Sequence, residues 1–125
     1  TQGVRAMAAQ WVQHMVAPAR LNDAVLINTI IGMFERKSAA LFERQQHALL
    51  NRLDASDVLQ RIHIPCMVMT GEHDTVVAAS DAPLLNAKIK GSKLETIANS
   101  AHLPQEEQPQ AFIDAIAKHW DYLNK

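Results

Sequence analysis

Apolar residues recur at three-to-four spacing through the first fifty positions and then change rhythm. From Val4 to Val16 the set Met7, Ala8, Trp11, Val12 and Met15 marks one face of a helix, and Pro18 requires that helix to stop shortly before it. Asn22 and Asp23 offer a cap for a second helix. Its apolar set, Val25, Leu26, Ile27, Ile30, Ile31, Met33 and Phe34, covers more than one stripe and calls for partners on more than one side. A third helix is expected from Ser38 to Leu53, with Ala39, Phe42, Leu49 and Leu53 on one side and Glu43, Arg44, Gln45 and His47 elsewhere. A capped turn at Ser56 and Asp57 follows. Ile64 to Met69 then form a near-continuous apolar run ended by Gly71, as in a parallel strand buried on both faces, with Met67 and Met69 in the core. Ser80 or Asp81 can cap the next helix, Pro83 sits in its first turn, and Gly91 follows its end. A more polar strand, Lys93 to Ala98, precedes a last helix opened by Pro109, in which Phe112, Ile113, Ile116, Ala117 and Trp120 share a face.

This order predicts an α/β fold: a helical segment over residues 1–53, then a βαβα unit over 54–125 with two parallel strands and a right-handed crossover. Two parallel strands do not make a stable sheet alone, and the bare edge of an apolar strand invites pairing. Either more chain precedes Thr1, or the chain pairs with a second copy of itself as a homodimer.

Composition narrows the partners. With 12 basic and 13 acidic residues among 125, the charge is near balance, which argues against a nucleic-acid partner. The greasiest stretch, Val25 to Phe34, is interrupted by Asn28, Thr29 and Gly32 and is far short of the roughly 20 apolar residues a bilayer requires, so no membrane span is expected. The single cysteine, Cys66, closes no intrachain disulfide and is read as a packing residue, and the expected location is cytoplasmic. His63, His73, Asp74, His102 and Glu106 show no metal-ligand spacing, so no metal is expected. His14, His47 and His119 are read as solvated helix histidines.

Ligands in open α/β sheets gather at the carboxyl ends of the strands, and two polar clusters fall there. Gly71-Glu72-His73-Asp74 follows the first strand and Asn99-Ser100-Ala101-His102 the second. An Asp and a His on neighbouring loops are the supporting members of a nucleophilic triad. The same spacing is met by Asp74 capping a turn and His102 bonding the backbone.

Ile62 to Asp74 resembles the segment of α/β-hydrolases that carries the triad acid. Asn99-Ser100-Ala101-His102-Leu103-Pro104, followed by Glu107-Gln108-Pro109, resembles their histidine loop and last helix, and Gln46, Ala48, Arg52 and Asp54 are similar to residues of esterase- and lactonase-like members. The resemblance covers Leu41 to the C-terminus well, and Val4 to Phe34 by position, where such enzymes place a helical cap. It implies the C-terminal half of an α/β-hydrolase, with Asp74 as the triad acid and His102 as the general base. Glu107 and Pro109 match structural positions. Ala101 stands where Gly usually precedes the histidine, and Ala78 where Pro is common. Cap helices of the family line the substrate mouth, which makes Trp11, Met15, Met33 and Phe34 candidate substrate-binding residues; plain interhelical packing explains each of them as well. No serine here stands in a Gly-x-Ser-x-Gly elbow. The resemblance therefore implies a nucleophile upstream, in a missing N-terminal half, a small acyl substrate (an ester or lactone), no cofactor, and no activity of these residues alone. The rival expectation is a non-catalytic module that works by homodimer assembly.

Overall fold

The computed structural model describes residues 2–124. Helix α1 spans Gln2–Met15 and a 3₁₀ turn Pro18–Arg20 follows it. Helix α2, Ala24–Glu35, begins where expected: the Asp23 side chain accepts the Leu26 N–H at 3.0 Å. Ala8, Val12 and Val16 form a single stripe that packs on Leu26, Ile30 and Ile31, with Leu21, Ile27, Phe34 and Leu103 at its margin. The small residues of the α1 stripe let the two helices approach, and burying a side chain such as Ile30 stabilises the pair by about 1.5–3 kcal/mol. Val25, on the outer side of the broad apolar set, is exposed.

Helix α3, Ala39–Leu50, is capped by Ser38, whose Oγ accepts the Leu41 N–H at 3.1 Å. It ends earlier than the apolar spacing suggested. Asn51 turns back onto the His47 carbonyl with both its N–H and its side-chain amide, and Leu53, assigned above to the helix face, is 89% exposed. The helix buries no residue. In the one-turn helix α4, Ser56–Leu59, the turn expected at Ser56 and Asp57 is instead held by Asp54, which accepts both the N–H and the Oγ–H of Ser56.

Strand β1, Met67–Gly71, pairs in parallel with β2, Lys93–Ile97, across helix α5, Asp81–Lys88. The expectation that β1 is buried on both faces is corrected: Met67 to Thr70, both methionines included, are half-buried, because among the described residues the strand has one neighbour and a bare second edge. The cap expected at α5 is also corrected, since Ser80 lies in helical backbone and its side chain makes no cap bond. Gly91 takes φ +79° after the helix, a conformation that suits glycine.

Helix α6 is one turn, Pro104–Glu107; α7 runs Pro109–Lys118 and α8 Trp120–Leu123. The expected single face from Phe112 to Trp120 is corrected by a break at His119 and by rotation: Ala115 turns inward, while Ile113 and Trp120 are more than half exposed. His119, read as solvated, is largely covered and bonds the Glu95 carboxylate of β2 at 2.6 Å. The Tyr122 hydroxyl donates to the Gly91 carbonyl at 2.7 Å and accepts the Cys66 N–H, which fixes α8 at the amino ends of the strands. Among the described residues, no helix is long and apolar enough to cross a membrane.

Candidate active site

The register Gly71↔Ile97 ends both strands side by side, so the loops that follow leave the sheet together. They are stitched to each other. The Glu72 N–H donates to the Ile97 carbonyl at 3.0 Å and the His73 N–H to the Ser100 carbonyl at 2.8 Å, while the Asn99 N–H donates to Glu72 Oε2 at 3.0 Å. Asn99 takes φ +55°, in the left-handed region that asparagine tolerates better than most residues. Gly71 is required by proximity. A Cβ there would lie 2.7 Å from the Ser100 carbonyl oxygen and closer still to that of Ala101. Among the described residues Asn99 is the one non-glycine with positive φ, so Ala101, where the resemblance leads to an expectation of Gly, sits in ordinary backbone.

This stitching brings Asp74 and His102 together. His102 Nδ1 stands 3.1 Å from Asp74 Oδ2 and 3.3 Å from Oδ1, with the carboxylate nearly covered and the imidazole partly open. Asp74 also serves its own turn, because Oδ1 accepts the N–H groups of Val76 at 2.9 Å and Val77 at 3.1 Å. The carboxylate is therefore held by its own turn before the imidazole reaches it. With Nδ1 facing the carboxylate, the neutral histidine has Nδ1–H as donor and leaves Nε2 as acceptor. No hydrogen bond occupies Nε2 among the described residues.

The other predicted site residues line the space beside this pair. A cleft of about 460 Å³ is bounded by His102, Trp11, Met15, Phe34, Gln46 and Val76. Next to it an apolar cleft of about 580 Å³ lies between α1, α2 and α3, with Trp11, Met15, Met33, Phe34, Phe42 and Leu103 in its walls. Trp11 meets Phe34 edge-on with ring centroids 6.1 Å apart and Phe42 at 5.6 Å. Gln46 lines both spaces and adds a polar side chain to their walls. A third space of about 260 Å³ runs along Val68 to Gly71, with Asp74 and His102 in its lining. His63, His73 and Glu106 join no cluster of metal-ligating side chains among the described residues.

The resemblance marked Glu107 as a structural position, but sequence reasoning did not show which polar groups hold the histidine loop. Glu72, Asn99 and above all Glu107 carry it, together with Arg20, which donates to the Glu107 carbonyl and pairs with Asp23 at 2.7 Å. The signals present were that match and the place of Glu107 in a short segment between Pro104 and Pro109, next to an apolar helix.

No protein-family model matches the chain. The 3-oxoadipate enol-lactonase 2 of Acinetobacter baylyi is 36% identical over 75 residues, which is 58% of this chain and 28% of that enzyme. A hydrolase structure from Pseudomonas aeruginosa matches 90% of the chain at 31% identity and TM-score 0.74, and a thermophilic esterase from Thermogutta terrifontis matches 99% at 21% identity and TM-score 0.83. The chain spans about half the length of these solved structures, 42% and 48%, and the matched segment is a smaller share of the curated enzyme. The helical segment followed by two parallel strands and their crossover helix is thus the C-terminal portion of an α/β-hydrolase fold, related to esterase- and lactonase-like hydrolases.

Proposed function

We propose that these residues supply the acid and the general base of a hydrolase that cleaves a small, fairly apolar ester, lactone or related acyl substrate, with the nucleophile and most of the oxyanion hole carried by chain upstream of Thr1. The observation that supports this most directly is the His102 Nδ1 to Asp74 distance of 3.1 Å beside an open apolar cleft. In the reaction, a hydroxyl nucleophile attacks the acyl carbon while His102 Nε2 takes its proton, and Asp74 stabilises the imidazolium that forms. His102 then returns the proton to the leaving oxygen, and water repeats the cycle on the acyl-enzyme. Trp11, Met15, Met33 and Phe34 form the wall against which the acyl group rests, and no cofactor takes part.

The test has two arms. The 125-residue chain alone is expected to hydrolyse p-nitrophenyl esters no faster than buffer, because among the described residues no hydroxyl bonds His102 Nε2 and the sequence carries no Gly-x-Ser-x-Gly elbow. Joined to the upstream residues of its gene, which should encode a strand followed by Gly-x-Ser-x-Gly, it should turn over, and His102→Ala should abolish turnover without unfolding the protein. Turnover by the chain alone, or by the joined His102→Ala variant, refutes the assignment.

The bare edge of β1 favours a second reading, a non-catalytic homodimer in which two copies pair at that edge. Sedimentation at high concentration checks it, and a monomer there rules it out.

A further inference from the structure

Glu107 lies beneath the histidine loop and enters no chemical step described above. It is 1% exposed, and both side-chain oxygens are engaged: Oε1 accepts the Ala101 N–H at 2.7 Å and Oε2 the Ala17 N–H at 2.6 Å. Ala101 immediately precedes His102, and Ala17 lies just past the end of α1. The Glu107 carbonyl accepts from Arg20 Nη1, and Nη2 of the same guanidinium holds Asp23, the cap of α2. A separate bond runs from the His102 N–H to the Met15 carbonyl at 3.0 Å. Ala101 and His102 are thereby bound to the Met15–Ala17 segment by two routes that share no atom.

Two N–H donors that each face a different oxygen position of one side chain need an acceptor at both positions. A carboxylate has them. An amide has one, and its NH₂ would face a second N–H. Burial of a carboxylate is costly unless such bonds satisfy it, and bonds to a charged acceptor are among the stronger ones. We propose that Glu107 is the positioning residue of the Asp74–His102 pair, a buried latch through which the Met15–Arg20 segment sets the backbone of His102 and so the approach of Nδ1 to Asp74. The catalytic importance of the latch rests on the triad reading above. Its test reads the imidazole and the backbone directly, and so fails independently of that reading.

The full 125-residue chain labelled with ¹⁵N gives the ring-nitrogen signals of His102 and the exchange rate of each backbone amide. In Glu107→Gln, the His102 nitrogens should lose the unequal pair of shifts that marks an Nδ1-protonated ring and move toward the averaged values of free imidazole. The amides of Ala17, Ala101 and His102 should exchange at least about tenfold faster, as expected for loss of a buried charge-assisted bond, while those of the β1–β2 ladder keep their protection. An unchanged imidazole beside a freed Ala17 amide would overturn the proposal, and so would a uniform rise in exchange throughout the chain. Should Glu107→Gln not fold, Arg20→Ala removes the guanidinium from the Glu107 carbonyl at a partly exposed position and leaves the carboxylate in place. It should shift the same three amides and the same imidazole in the same direction by a smaller amount, and an unaltered His102 in that variant overturns the proposal too.

Discussion

Asp74 serves two sets of partners with one carboxylate, and the two are separable by substitution. Its Oδ1 accepts from Val76 and Val77, while both oxygens face His102 Nδ1. Asp74→Asn keeps an oxygen for the turn and places an amide where the imidazole needs an acceptor. In the joined enzyme, turnover is expected to fall by a factor on the order of 10⁴ with the melting temperature little changed. Gly71→Ala acts through packing alone, because its Cβ would enter the carbonyls of Ser100 and Ala101, backbone atoms that cannot rotate away. A loss of about 1–3 kcal/mol is expected in denaturant unfolding, accompanied by displacement of the histidine loop. These residues differ in how legible they were. Asp74 and His102 could be found because an α/β sheet gathers polar loops at its carboxyl edge and because their segments resemble known ones. The closeness that requires Gly71 is set by a loop some thirty residues further along, and the partners of Glu107 lie on both sides of the molecule, so the resemblance marked Glu107 as a structural position while neither pattern nor spacing showed what it holds.

At the level of elements, the order of helices and strands was readable from the sequence, and the errors came from faces and ends. The spacing that carried the third helix to Leu53 continued past a polar stop, since Asn51 competes for the His47 carbonyl. The apolar stripe of α7 is broad and β2 meets one side of it, which leaves Ala115 inward and Ile113 outward. Two carboxylates tie element ends together and give the fold a pH dependence of known sign. The Leu26 N–H, followed by the Arg20 guanidinium, holds the Asp23 carboxyl below its ordinary value. The Lys118 ammonium, followed by His119, does the same for Glu95. A depressed folded-state value means that the stabilisation is present above the ordinary carboxylate range and is lost as pH falls through the lowered values. The denaturant midpoint should therefore decline between about pH 5 and about pH 2, and the decline should be shallower in the double variant Asp23→Asn, Glu95→Gln. An equal slope in wild type and variant would place the acid sensitivity elsewhere.

Across the whole molecule, the helical segment and the βα unit meet at the histidine loop, where Leu103 packs against the α1–α2 core and the His102 N–H reaches the end of α1. Helix α3 is joined differently: it buries no residue, and its aromatic contact is Phe42 against the ring of Trp11. That contact makes the molecule its own optical probe. Trp11 and Trp120 are the two tryptophans, and Trp120→Phe leaves the emission of Trp11 alone. Filling the apolar cleft with a medium-chain fatty acid should expel water from the Trp11 ring, which is 40% exposed, and move its emission to the blue, whereas departure of α3 should move it to the red. A single spectrum, recorded with no turnover and no added dye, then reports whether the helix closes over what enters or swings away to admit it.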